Sequence, residues 1–359
     1  MRATGGSTPQ PEPASRGRSA LERLPKWLIC VPLVVQWLWL SLRYRGATLP
    51  SAANPGITAG GLVGETKLEY FRSMGPLARA ATAAHCALPP AGRNAVQAQA
   101  AMARAGLQFP VVAKPDLGMC GFGVRRLDDA QSLACYLQDF PPDQTIVLQA
   151  YLPQEDEAGI FYARPPGAEG RIIGLALRYF PRVTGDGRST LAELIAADPR
   201  AGRIHQAAHA LVLDTRRVPA AGEMVRLATI GSTRVGGLYR DGAGCITPAL
   251  TAAIDAIARD MGDFHFGRFD VRFESMPALS EGRGFSIMEV NGAGSEAIEA
   301  WDPATGLAQA FRTIFAKQRL LFQIAAANRS RGHQPIGLLA LARLHFMQQR
   351  LLDAYPPSN

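Results

Sequence analysis

GRFDVRFE (267–274), the turn-rich SMPALSEGRG (275–284) and FSIMEVN (285–291) form the passage on which the reading of this chain turns. A strand alternates its side chains with a period of two, so Phe269, Val271 and Phe273 share one face of the first segment and Arg268, Asp270 and Arg272 the other. In the second segment the same rule groups Glu289 and Asn291 with Ile287. If the two strands pair antiparallel, Asp270, Glu289 and Asn291 converge on one point with an arginine beside them. Two carboxylates and an amide oxygen are hard oxygen donors, a set that suits Mg²⁺ while leaving positions for phosphate and water. The bland alternative is a solvated face of surface ion pairs. Against it, the acids sit among apolar neighbours and run into the small-residue loop NGAGSEA (291–297).

AKPDLGMCGFGV (113–124) is the second informative passage. Lys114 ends an apolar strand, and Gly118, Gly121 and Gly123 make a loop whose backbone N–H groups can approach phosphate oxygens closely. The loop lacks the GK[ST] of a Walker A motif and does not open a helix as a dinucleotide fingerprint does; by itself it reads equally as a hairpin turn. The lysine adds weight, because only four of the 38 cationic residues are lysines: Lys26, Lys67, Lys114 and Lys317. With a Mg²⁺ site expected downstream, nucleotide binding becomes the preferred reading.

The 359 residues suffice for one large domain or two to three small ones with real cores, and 47% hydrophobic content excludes a disordered chain. The five cysteines, Cys30, Cys86, Cys120, Cys135 and Cys245, contain no CxxC pair and read as free thiols in a reducing compartment. The formal charge of +8 is unevenly spread. Residues 1–46 carry seven Lys/Arg against two Glu, and residues 304–359 seven against one, while the body between is mildly acidic. That distribution, without interleaved aromatic and basic residues across the body, argues against a nucleic-acid partner.

Residues 1–20 have almost nothing to bury and are expected to be disordered; 21–46 form an apolar, basic-flanked helix. Its run Trp27–Leu42 is sixteen residues long, short of the ~20 that a spanning helix needs. Three tryptophans and flanking cations suit a membrane interface, and a helix docked on the protein body is the equal alternative. Strands are expected at 107–114, 145–152, 158–164, 171–180, 223–230, 268–274 and 284–291. Helices are expected at 65–83, 94–105, about 191–197 after the Thr190/Glu193 capping box, 203–213, 248–262 and through the last fifty residues. Asp128 or Asp129 caps a helix ending near 140. Strands in pairs with helices between them indicate antiparallel α+β lobes.

AKPDLGMCGFGV, EAGIFYAR, GRFDVRF and IMEVNGAGSEA, in that order, resemble the ATP-grasp superfamily, in the D-alanine–D-alanine ligase-like branch of carboxylate–amine ligases. The likeness covers about residues 105–303, most specifically in RxD followed by ExN. It implies an α+β fold of two antiparallel lobes clasping ATP, with an ATP-grasp domain at 107–325, a reduced N-terminal region at 47–106 and a C-terminal helix at 326–359. It implies an ATP- and Mg²⁺- (or Mn²⁺-) dependent ligase that forms an amide through an acyl phosphate. Its substrates would be a small-molecule carboxylate and an amine, its location the cytoplasm or the inner face of the membrane.

Residue by residue, the resemblance gives Lys114 the ATP phosphates, with Gly118, Gly121 and Gly123 closing over them. LQAYLP (148–153), including Gln149 and Leu152, supplies the hinge whose backbone reads adenine, and Glu157 holds the ribose, with Glu155 and Asp156 as neighbouring candidates. Asp270, Glu289 and Asn291 bind metal, and Arg268 stabilises the acyl phosphate. Arg178 adds a phosphate contact or is a surface strand cation. The chain departs from the pattern in having Gln149 where a glutamate is frequent. It also lacks the His-Gly and acidic signature of the N-terminal domain of true D-alanine–D-alanine ligases; GGLVGETK (60–67) is the one candidate replacement. IGSTRVGG (230–237), with Arg234, reads as a substrate-side loop or a turn; His205, His209 and His265 form no metal set. The alternatives are therefore a true D-alanine–D-alanine ligase, or a nucleotide-binding regulatory module without turnover.

Overall fold

The computed structural model describes residues 17–91, 93–206 and 213–359. Most of the segment expected to be disordered, the greater part of the expected helix at 203–213, and His209 lie outside these residues.

The strands in chain order are β1 (His85–Leu88), β2 (Val111–Pro115), β3 (Arg125–Leu127), β4 (Ile146–Ala150), β5 (Asp156–Ala163), β6 (Arg171–Tyr179), β7 (Arg182–Thr184), β8 (Met224–Arg226), β9 (Leu238–Asp241), β10 (Phe266–Phe273) and β11 (Phe285–Asn291). They build a four-stranded sheet ordered β1-β4-β2-β3, a five-stranded sheet ordered β11-β10-β5-β6-β9, and a β7-β8 ribbon. All the ladders of these sheets are antiparallel, so the α+β character expected from the paired strands is present.

The helices are α1 (Lys26–Arg43), α2 (Lys67–Ser73), α3 (Pro76–Ala80), α4 (Ala95–Arg104), α5 (Ala130–Asp139), α6 (Leu191–Ala197), α7 (Pro248–Asp260), α8 (Met276–Ser280), α9 (Leu307–Ser330) and α10 (Leu338–Ala354). Local signals set several boundaries. Asp129 accepts from the Ser132 amide and starts α5, and Thr190 and Glu193 form a reciprocal box at α6. Gly75 and Pro76 divide the helix expected at 65–83 into α2 and α3, since proline suits a first turn and not an interior.

The five-stranded sheet is covered on both faces. On one, Phe269, Val271, Ile160 and Leu175 pack with Leu68, Phe71, Ile254 and Ile257 of α2 and α7. On part of the other, Phe161 and Phe266 pack under Leu321 and Phe322 of α9, which α1 covers in turn through Leu40. The four-stranded sheet has its own core, with α4, α5 and the end of α10 through Leu352 and Tyr355. Two expected divisions therefore fall elsewhere. Residues from β1 onward already belong to the smaller lobe, and α9 runs unbroken across the 325/326 boundary.

The strand at 284–291 also differs from strict alternation. Asp270 faces Glu289, but Val271 faces Ile287, so Met288 is an extra residue, a β-bulge. The bulge shifts the phase by one: Ile287 is fully buried with Val271 in the core instead of sharing a face with Glu289. All five cysteines are free. His265 is buried, with Nδ1 3.0 Å from the Arg164 carbonyl, a core role rather than a ligand's.

Candidate active site

The site lies where the two main sheets meet. From the smaller, β2 alternates buried Val111, Ala113 and Pro115 with Val112 and Lys114, which turns Lys114 toward the larger sheet. Its Nζ donates to Gln149 Oε1 at 2.6 Å and to the Met288 carbonyl, at the bulge, at 3.3 Å. Burial lowers the Lys114 ammonium to about 8, with Glu289 opposing the shift.

From the larger sheet, neighbouring strands contribute side chains of one face. Glu157 on β5 lies opposite both Arg178 on β6 and Arg272 on β10, and Asp270 lies opposite Gly159 and Glu289. Gly159 is needed here, because a Cβ at that position would stand 2.6 Å from Ile298 Cδ1 and 3.0 Å from Arg268 Cδ. The Arg268 side chain lies across that space and donates from Nε to Asp270 Oδ1 at 2.6 Å. Arg178 Nη1 bridges Glu157 at 2.7 Å and Asp270 at 3.2 Å, and Asn291 Nδ2 reaches Asp270 Oδ2 at 3.3 Å. Burial works against ionisation of Asp270, but Arg268 and Arg178 outweigh it and hold the carboxyl below its usual range. Arg178 is thus neither solvent-facing nor free: its two carboxylate neighbours outweigh the cost of burial and hold its proton more tightly than usual.

Three further residues complete the wall. Lys67, the first residue of α2, places Nζ 3.3 Å from Glu289 Oε1, and a Cβ on Gly118 would be 3.4 Å from the same Nζ. The ammonium therefore stands between the glycine loop and the acid. GGLVGETK is both a helix entry, capped by Thr66, and the segment that delivers Lys67. Burial raises the Glu65 carboxyl to about 7. Arg272, 5% exposed, donates to the Leu152 carbonyl and lies 3.8 Å from Glu157.

The glycine loop is held from outside. The Tyr136 hydroxyl donates to the Gly123 carbonyl, Tyr355 to Leu117 and Ser358 to Gly121. Arg234 lies over the Phe122 ring and donates to the Cys120 carbonyl at 3.3 Å. The loop 230–237 therefore closes against the glycine loop, with a 3₁₀ turn at Thr233–Val235.

Lys114, Gln149, Glu157, Arg178, Arg268, Asp270, Glu289 and Asn291 lie together in one cluster. At the segment expected to form the hinge, Gln149 is 2% exposed and its side-chain oxygen accepts from Lys114. The Leu152 carbonyl accepts from Arg272. Among the three acids, Glu157 points into the site while Glu155 pairs with Arg182 and Arg226 outside it. Lys67 and Arg272 were the residues missed. The scarcity of lysine was a usable signal for the first, and a place on the Arg268/Asp270 face for the second.

Among the described residues, no cluster of three or more His, Cys, Asp or Glu forms a metal cage. The mixed set of Asp270, Glu289 and Asn291 nevertheless fits Mg²⁺ in donor chemistry. Glu289 is one-third exposed, with only Oε1 engaged, by Lys67, and Asn291 turns its nitrogen to Asp270, leaving its oxygen uncommitted among the described residues. Five cations (Lys67, Lys114, Arg178, Arg268, Arg272) surround three carboxylates (Glu157, Asp270, Glu289), an excess of positive charge that suits a polyanion in its chemistry.

Two antiparallel α+β lobes face each other across this cluster. A bifunctional glutathione synthetase from Pasteurella multocida is similar to this chain with a TM-score of 0.36 and 15% identity, over 74% of this chain and 38% of that one. A D-alanine–D-alanine ligase from Bacillus anthracis is similar with a TM-score of 0.41 and 14% identity, over 77% of this chain and 70% of that one. This chain thus spans well under half the length of the synthetase. No family model matches the chain, and no curated protein does.

Proposed function

We propose that the protein is an ATP-dependent carboxylate–amine ligase. The observation that supports this reading is the convergence of Lys114 from one sheet with Arg178, Arg268, Asp270 and Glu289 from the other. ATP phosphates would lie between the glycine loop and the larger sheet, met by Lys67, Lys114 and the two arginines. A carboxylate oxygen attacks the γ-phosphorus and ADP leaves; the free amine then attacks the acyl carbon and phosphate leaves. Negative charge grows on the transferring oxygens in the first step and on the tetrahedral oxygen in the second. Arg268, held by Asp270, is placed to neutralise it without reorganising, and no covalent enzyme intermediate is required. Asp270, Glu289 and Asn291 would hold Mg²⁺, which when bound supplies further neutralisation of the phosphates.

A second reading, nucleotide binding without turnover, is favoured by one feature: both Asp270 oxygens are engaged by guanidinium groups. The experiment is an ADP-release screen of carboxylate and amine pairs, D-alanine included. ADP released with one pair supports the ligase, and a D-alanine dipeptide would narrow it to a true D-alanine–D-alanine ligase. Tight ATP binding with silence across the panel supports the second reading.

A further inference from the structure

α1 carries its amphipathicity inside out. Its one polar amide, Gln36, is turned inward, donating to the Phe315 carbonyl at 2.9 Å and to Gln318 at 3.0 Å on α9. The outward side is apolar throughout: Trp27, Val31, Val35, Leu38, Trp39 and Leu42 are each at least half exposed, Leu42 at 80%. They recur at helical spacing as a single stripe on a helix that is about 27 Å long, 18 residues at 1.5 Å each. No charge interrupts the run from Trp27 to Leu42. Cations bracket it instead, Arg23 and Lys26 before and Arg43 and Arg45 after, and Arg43 lies over the Trp39 ring. The nearest acid, Glu22, is neutralised by Arg200 and Arg203.

By length and composition α1 is the one helix among the described residues able to cross a membrane. Its attachment argues for another orientation. Ile29 and Leu33 pack with Ala310 and Ile314, Gln36 bonds to Phe315, Leu40 packs with Leu321 and Phe322, and Arg329 donates to the Tyr44 carbonyl. α1 therefore lies parallel to α9 and is fastened to the protein along its whole length. A helix so held presents its side, not its end.

We propose that the outward face of α1 is a docking surface for an anionic lipid bilayer, with the helix lying in the plane of the headgroups. Charge complementarity selects this occupant. A second copy packed on the same face would bring like cations together at the ends, in either direction, whereas an anionic surface is attracted by all four. The tryptophans suit the boundary, with rings buried and indole N–H groups wet. The same face would thus fix the catalytic body at the membrane surface.

The test is vesicle co-sedimentation of the full chain, with phosphatidylcholine vesicles and with vesicles to which phosphatidylglycerol is added. Partitioning is expected to rise roughly tenfold or more with the anionic lipid and to fall as salt screens the four cations. Val31→Glu with Val35→Glu should abolish it without changing the melting temperature, because both positions are solvent-facing. Lys26→Glu with Arg43→Glu should remove the preference for phosphatidylglycerol. Failure to bind anionic vesicles, or equal binding by the folded Val31→Glu, Val35→Glu variant, overturns the proposal. So does a dimer in solution that this variant makes monomeric. Vesicle binding is read without ATP, so its outcome is independent of the ligase reading.

Discussion

Two ends of one sheet face use the same alternation and arrive at opposite chemistry. Toward one end Glu157, Arg178, Asp270 and Glu289 stand side by side; toward the other, Phe161 and Phe266 are roofed by Leu321 and Phe322 of α9. On the ladder, Arg268 of the polar end lies directly opposite Phe161 of the apolar end, so the border falls between adjacent strands. The border is marked by Lys317 of α9, which reaches over Gly174 to pair with Glu299, both nearly buried, and stands 3.8 Å from the Phe161 ring. A sheet face is thus not polar or apolar by its alternation. Charge persists where each ion finds a counter-ion, and aromatic surface where a helix covers it.

The comparison can be broken at its border first. Lys317→Met strands Glu299 in the apolar roof and is expected to lower stability by about 3–5 kcal/mol, read by denaturant unfolding. Adding Glu299→Gln should recover most of the loss; no recovery would mean that the pair does not form the border. Next, Asp270→Asn removes a charge from the polar end but keeps its shape. ATP turnover is expected to fall about 10²–10³-fold and the melting temperature to fall as well, because Arg178 and Arg268 lose the charge that offsets their burial. Gly159→Ala pushes a methyl against Arg268 and Ile298, and should cost about 1–3 kcal/mol in stability and roughly tenfold in turnover.

The pH response is smaller. Burial holds the Lys114 ammonium at about 8, so its charge is present below that pH and lost as pH rises through it. Affinity for ATP should therefore weaken several-fold by about pH 9, and Lys114→Arg, which stays charged, should flatten the profile. For stability the sign is opposite: the unfolded chain holds this proton up to the ordinary lysine value, so the burden of a buried ammonium eases between about 8 and 10.5. The smallest effect is expected outside both ends, where Val34→Ser on the exposed side of α1 should change stability by within about 0.5 kcal/mol.

Much of this was legible. Alternation in GRFDVRFE gave the faces of β10, and strand–turn–strand order gave the antiparallel hairpin. The rarity of lysine singled out Lys114. What escaped depends on long-range contact. Nothing local told that the Gln149 side chain would be spent on Lys114 from the neighbouring strand, or that Lys67, some fifty residues before the glycine loop, would stand at Glu289. Nor did alternation announce the bulge, because SIMEVN reads as regular in either phase. Of the two roles weighed for the apolar helix, docking on the protein body is present in its contacts with α9.

The extra residue at Met288 makes β11 a strand with two phases: Glu289 and Asn291 keep step with the site, while Ile287 keeps step with the core. In the language of editing, this is a place where the length of the chain, rather than the identity of a residue, carries the instruction. Removing Met288 alone would make the ladder regular, with Glu289 still opposite Asp270 and Ile287 still opposite Val271, so each side chain would keep its face. It would take away the bulge and with it the carbonyl that receives Lys114. A single lost codon there would do damage that no conservative substitution at the same position could copy.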